Sequence, residues 1–140
     1  MEIQRVLLAN DESEGARKAR NSAFKLATAY DATVYALYVI ETRFGSSGQI
    51  WNLLDQQAKT LSREVRVQGA QAGIDVTTVT REGVPEQEIR DLAEENDIDL
   101  IILGTHGREG IDKFVMGSVA ASVLRNASRP VLTVRSNSND

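Results

Sequence analysis

Gly104-Thr-His-Gly107, followed after nine residues by Gly117-Ser118, is the spacing in this chain best suited to chemistry. It follows Leu100-Ile-Ile-Leu103 and leads into Val119-Ala-Ala-Ser-Val123-Leu124, whose apolar groups recur at helical spacing. Glycines at the mouth of a buried strand let the backbone approach a ligand closely and adopt positive φ. A Gly-Ser pair opening a helix offers unpaired N–H groups and the positive end of a dipole, a setting that suits phosphate. The pattern is neither G-x-x-x-x-G-K-[ST] nor G-x-G-x-x-G. Taken alone, the glycines fit about equally well a plain strand terminator at Gly104 and a plain helix start at Gly117. His106 is the one histidine, and no second His, Cys or clustered carboxylate stands at ligand spacing, so no metal site is expected.

Such residues need a scaffold, and the apolar pattern supplies one. Residues 3–9 are a short apolar run that reads as a buried strand. Residues 13–30 place Ala16, Ala19, Ala23, Leu26 and Ala27 on one face of a helix, with Ser13 suited to its N-cap. Residues 33–40, rich in Val and Tyr, read as a second strand. Residues 50–72 repeat apolar groups at Leu54, Ala58, Leu61 and Val65, which marks the longest helix. Residues 76–81 alternate Val and Thr loosely, as expected at a sheet edge. A third helix spans 85–96, with Pro85 in its first turn, where a missing N–H does no harm. Residues 99–103, 117–127 and 131–134 complete the series. Strands alternating with helices in this way imply a parallel sheet covered on both faces. Residues 1–135 are expected to form one domain, with 136–140 as a flexible C-terminal tail.

Composition narrows the function classes. A chain of 140 residues can form one core, and its 41% hydrophobic and 26% charged content is ordinary for a globular protein. A net charge of −4, with 16 basic residues spread along the chain, argues against a nucleic-acid surface. The absence of Cys excludes disulfides, zinc–thiolate sites and cysteine nucleophiles. No apolar stretch reaches the ~20 residues that cross a bilayer, and no signal-peptide layout is present, so membrane insertion is not expected and the cytoplasm is the expected address.

The G-x2-G-x9-G-[ST] spacing resembles the ATP-binding signature of the universal stress protein family, in its single-domain, nucleotide-binding branch. Asp99-Leu-Ile-Ile-Leu-Gly104-Thr-His-Gly107-Arg is similar to that family's last third. Val6-Leu-Leu-Ala9-Asn-Asp11-Glu-Ser13 resembles its first strand and acidic turn, Gly83-Val-Pro85 with Ile89 the start of its third helix, and Pro130-Val-Leu-Thr-Val134 its final strand. The resemblance covers essentially the whole chain. It implies an open five-stranded parallel α/β sheet of order 3-2-1-4-5 with helices on both faces, a Rossmann-like arrangement of the adenine nucleotide alpha hydrolase-like kind. In that order the winding reverses between strands 1 and 4, and ligands on open α/β sheets bind beyond the carboxyl ends of strands at such a point.

The residues expected there are Ala9, Asn10 and Asp11 after strand 1, and Leu103 and Gly104 after strand 4. Asp11 can accept a hydrogen bond from an adenine amino group or a ribose hydroxyl. The dipole at the start of the next helix also favours a carboxylate there, and the resemblance favours the ligand role. The resemblance gives the Val39 backbone the adenine edge, with core packing as its other role. It places Gly104 and His106 along the ribose and triphosphate, and Gly107, Gly117, Ser118 and the Val119 N–H around phosphate oxygens. Arg108 and Lys113 can neutralise phosphate or simply be solvated. Two residues depart from the family pattern: Glu12 stands where a Gly is usual, and Asn10 where an apolar residue is usual.

The expected ligand is therefore ATP, with any Mg²⁺ carried by the nucleotide, and the expected role is a stress-response regulator whose occupancy sets conformation or the choice of an unidentified protein partner. A slow ATPase or phosphotransfer enzyme is the alternative. The chain shows no Walker lysine and no catalytic-loop signature, so no catalytic residue is assigned. A phosphoacceptor receiver domain needs an Asp after strand 3 and a Lys after strand 5; the chain has Arg81-Glu82 and Arg135 there. The apolar Pro130–Val134 edge is expected to pair with a second copy as a homodimer. The segment 41–49, with its glycines and serines, suits either a lid over the cleft or a plain connection.

Overall fold

A computed structural model of the protein describes residues 2–11, 13–42, 47–105 and 116–135. Strands β1 (Arg5–Ala9), β2 (Thr33–Glu41), β3 (Val76–Gly83), β4 (Leu100–Gly104) and β5 (Val131–Val134) alternate with helices α1 (Glu14–Tyr30), α2 (Gly48–Ala72), α3 (Pro85–Glu95) and α4 (Ser118–Asn126). The strands form one sheet in the order β3-β2-β1-β4-β5, each neighbour parallel to the next. This is the fold class and strand order that the sequence resemblance implies.

The two-residue period of a strand divides the core between the faces. Val6 and Leu8 of β1 and Ile102 of β4 pack with Ala19, Ala23 and Ala27 of α1 and Val65 of α2. Leu7, Ile101 and Leu103 point to the other face, against Ile89, Leu92 and Ala93 of α3 and Ala120 and Val123 of α4. Val6, Leu7, Leu8, Ile101 and Ile102 have no exposed surface. Burying one such side chain fully contributes about 1.5–3 kcal/mol, so the two strands flanking the switch point are anchored in the core on both faces.

Element ends follow hydrogen bonds more than side-chain pattern. The Ser47 hydroxyl accepts the Ile50 N–H, so α2 starts at Gly48, two residues before its apolar spacing begins. β3 runs on to Gly83 because Glu41 of β2 still pairs with it there. α2 ends at Gly73, whose φ of 71° suits a helix C-terminal glycine. At the amino edge of the sheet one oxygen of Asp99 accepts the backbone N–H groups of Gln4 and Arg5, tying β1 to β4 at the end opposite the cleft. Residues 136–140, expected as a tail, lie outside the described residues.

Candidate functional site

The candidate site lies where β1 and β4 end side by side. Ala9, the last residue of β1, stands opposite Leu37 of β2, and the Asn10 N–H continues that ladder to the Leu37 carbonyl at 2.8 Å. The chain then turns. One oxygen of Asp11 accepts the Ser13 N–H at 2.8 Å, and the Ser13 hydroxyl accepts the Ala16 N–H at 3.0 Å to cap α1. Asp11 therefore has the role at a helix start that its type allows. A carboxylate has two oxygens and several lone pairs, so this bond and a bond to a ligand are compatible.

β4 leaves the sheet through Gly104 and Thr105. Gly104 pairs with Val134 of β5, and a Cβ on it would stand 2.8 Å from the Gly15 carbonyl carbon. The first turn of α1 thus lies against the end of β4. Thr105 is buried; its N–H donates to Val134 at 2.9 Å and its carbonyl accepts the Gly117 N–H at 2.6 Å. That last bond brings the start of α4 back to the strand it left twelve residues earlier in sequence.

Gly117 is the N-cap of α4, buried, with φ −62° and ψ 155°. Its conformation is open to any residue, so a need for glycine there can arise only from space. Gly117 has no side chain with which to cap α4, and the first intrahelical acceptor, the Gly117 carbonyl, takes the Ala121 N–H at 3.0 Å. The N–H groups of Ser118 and Val119 therefore belong to the first turn, where no preceding helical carbonyl reaches them. Ser118 is exposed and Val119 half-buried.

Val39 is reached by overhang. β1 ends opposite Leu37, so the last four residues of β2 extend past it and leave Val39 half-buried opposite Arg81, packed on the α3 side of the sheet. The Leu103 side chain is buried in the same layer, which leaves its backbone to face the strand end. His106, Gly107, Arg108, Lys113 and Glu12 lie outside the described residues.

The nearby Arg81 is engaged within the wall. Its guanidinium meets Glu95 at 2.5 and 3.2 Å and Glu88 at 3.7 Å. The Glu95 hydrogen bond raises the arginine above its ordinary pKa, and the same bond holds the Glu95 carboxyl below the usual carboxylate range. A separate groove of about 200 Å³ between α3 and α4 is lined by groups of both signs, Arg90 and Arg129 with Asp91 and Glu94. Several of its polar groups pair internally, Arg90 with Gln87 and Ser128 with Glu94. Among the described residues no three His, Cys, Asp or Glu groups gather as a metal site, and no helix is long and apolar enough to cross a membrane.

The fold thus brings residues 9–11, 103–104 and 117–119 to one strand end, with Val39 beside them. Three residues that contact this end, Arg20 through a bond to the Asn10 side chain, escape the motif reading. Gly15 and Thr105 act through backbone contacts that no local pattern reveals. Arg20 does leave a signal: it stands four residues after Ala16 and three before Ala23, on the buried stripe of α1.

Comparison with known proteins follows the same line. The model for the universal stress protein family matches residues 2–135. Universal stress protein MJ0531 of Methanocaldococcus jannaschii is 33% identical over 139 residues, covering 94% of this chain and 82% of the relative. The solved structure of MJ0577, described as a hypothetical protein whose biochemical function was assigned from structure, superposes with a TM-score of 0.86 at 28% identity, covering 96% of each chain. A universal stress protein solved in complex with cAMP shares the fold at a TM-score of 0.77 and 24% identity, covering 98% of this chain and 100% of its own.

Proposed function

The chain belongs to the universal stress protein family, and on that premise we propose that it is a nucleotide-binding regulator: ATP occupies the cleft at the ends of β1 and β4, and its occupancy sets conformation or partner choice. The observation that carries the reading is the Thr105–Gly117 bond, which holds the start of α4 beside the strand ends at the switch point. First-turn N–H groups and a helix dipole favour an anion there. Asp11 supplies an acceptor for a ribose hydroxyl or adenine amino group, and the Val39 backbone lies where an adenine edge is read. The relative solved with cAMP holds an adenine nucleotide. Ala9, Asn10, Leu103 and Gly104 form the floor through their backbones, and the motif alone assigns His106 and Gly107 to the phosphates. Mg²⁺ enters with the nucleotide.

The protein acts in the cytoplasm as a homodimer, pairing the β5 edge with that of a second copy. Leu132 on that edge is 37% exposed, and an apolar edge with unpaired backbone groups favours such pairing. Mass spectrometry of small molecules released from the purified protein tests the ligand directly, followed by calorimetric titration with ATP. An adenine nucleotide released in near-stoichiometric amount supports the reading. Protein that carries none and gives no heat with ATP would remove it.

A further inference from the structure

Directly before Asp11 lies a buried polar network. Asn10 is 3% exposed and Arg20 5% exposed. The Arg20 guanidinium donates to the Asn10 side-chain oxygen at 3.0 Å and to Gln68 of α2 at 3.1 Å. The Asn10 amide nitrogen lies 3.5 Å from the Leu61 carbonyl of α2. Arg20 Nε is buried with no hydrogen-bond partner among the described residues. Burial lowers the arginine pKa, Glu64 offsets part of that, and Arg17 adds to it. The group still remains protonated.

Such a network is a poor way to stabilise a core. Two apolar side chains of similar volume often do as well or better, and a half-satisfied buried cation costs stability. Its geometry offers another use. Asn10 joins β1 to β2 through its N–H, to α1 through Arg20 and to α2 through Leu61. The next residue is Asp11, which is tied forward to Ser13. The β1–α1 turn is therefore clamped on both sides.

We propose that Arg20 is a positioning residue: by holding the Asn10 side chain it fixes the turn that presents Asp11 to the cleft. The link to ligand affinity rests on the nucleotide reading above; the positioning itself does not. Three variants test it, Arg20→Met, Asn10→Val and the two combined, through amide hydrogen exchange on the ligand-free protein and ATP titration. The Ser13 amide donates to Asp11 within the turn and the amide of residue 10 donates to Leu37 where the turn leaves the sheet, whereas those of Val34 and Ile101 donate at the opposite end of the sheet and serve as the reference for global stability. After the global change is divided out, the turn amides are expected to exchange at least about tenfold faster in Arg20→Met, the loss of a hydrogen bond to a charged group. The double variant, an apolar pair, is expected to regain global stability while its turn amides stay fast and ATP binds about tenfold more weakly. Parent-like protection of the amides at positions 10 and 13 in the double variant, each corrected for its intrinsic exchange rate, would overturn the proposal, as would unchanged ATP affinity in that variant when the parent binds ATP. A parent that binds no ATP removes the nucleotide reading, and the exchange comparison still decides the role of Arg20.

Discussion

Gly104 and Gly15 meet backbone to backbone: a Cβ on Gly104 would stand 2.8 Å from the Gly15 carbonyl carbon and 2.9 Å from its Cα. This contact seats the first turn of α1 on the end of β4, so that the turn after β1 and the segment after β4 open onto one cleft. Gly104 thus has a structural reason for being glycine that needs no ligand.

Gly104→Ala is expected to destabilise the protein by about 1–3 kcal/mol, the usual cost of forcing extra volume into a packed site. The obstacle is backbone, which cannot swing aside as a flexible side chain would. Urea denaturation measures this. A midpoint equal to the parent's would mean that the two backbones separate without cost.

Asp11 has two roles that substitution can separate. Asp11→Asn keeps a side-chain oxygen for the Ser13 N–H and is expected to leave stability nearly unchanged while weakening ATP binding. Asp11→Ala loses both, with about 0.5–2 kcal/mol of stability and roughly tenfold or more of affinity at stake. Thermal melting and calorimetry read the two effects independently. Parent-like ATP affinity in Asp11→Ala would leave the residue with its role at the helix start alone.

At the start of α4 the ordering of effects is diagnostic. Gly117→Val is expected to abolish ATP binding; its φ of −62° accepts valine, so the loss comes from occupied space rather than backbone strain. Ser118→Ala removes one hydroxyl and keeps the backbone N–H groups, and weakens binding only in part. AMP binds the parent more weakly than ATP because it lacks the outer phosphates. Circular dichroism confirms that each variant is folded. A folded Gly117→Val protein with parent affinity would place the phosphates elsewhere.

The β5 edge sets the expected assembly. The parent is expected to sediment as a dimer at micromolar concentration, and Leu132→Glu as a monomer, because a charge on each copy of a two-fold strand pair meets its own kind. Sedimentation velocity tests both species. A monomeric parent, or a Leu132→Glu protein that stays dimeric, would move the interface away from this edge.

Sequence alone determined the elements to a large degree and named the strand ends at which the candidate site is proposed. Local signals are strong where one residue type has one physical use: the alanine stripe of α1, Ser13 at its cap, Pro85 opening α3, and Gly117 opening α4 all read correctly from spacing. Periodicity could not give strand order, because burial on both faces looks alike at every central strand; the family resemblance supplied it. Only the tertiary structure revealed that Gly104 touches Gly15, that Thr105 returns to Gly117, and that the Asn10 side chain turns to Arg20. Each of these joins residues from separate elements through backbone atoms or a buried side chain, and such pairing depends on how α1 and α4 sit on the sheet. Residue types along a chain record what each position can bond to; the packing of distant segments selects which bond is made.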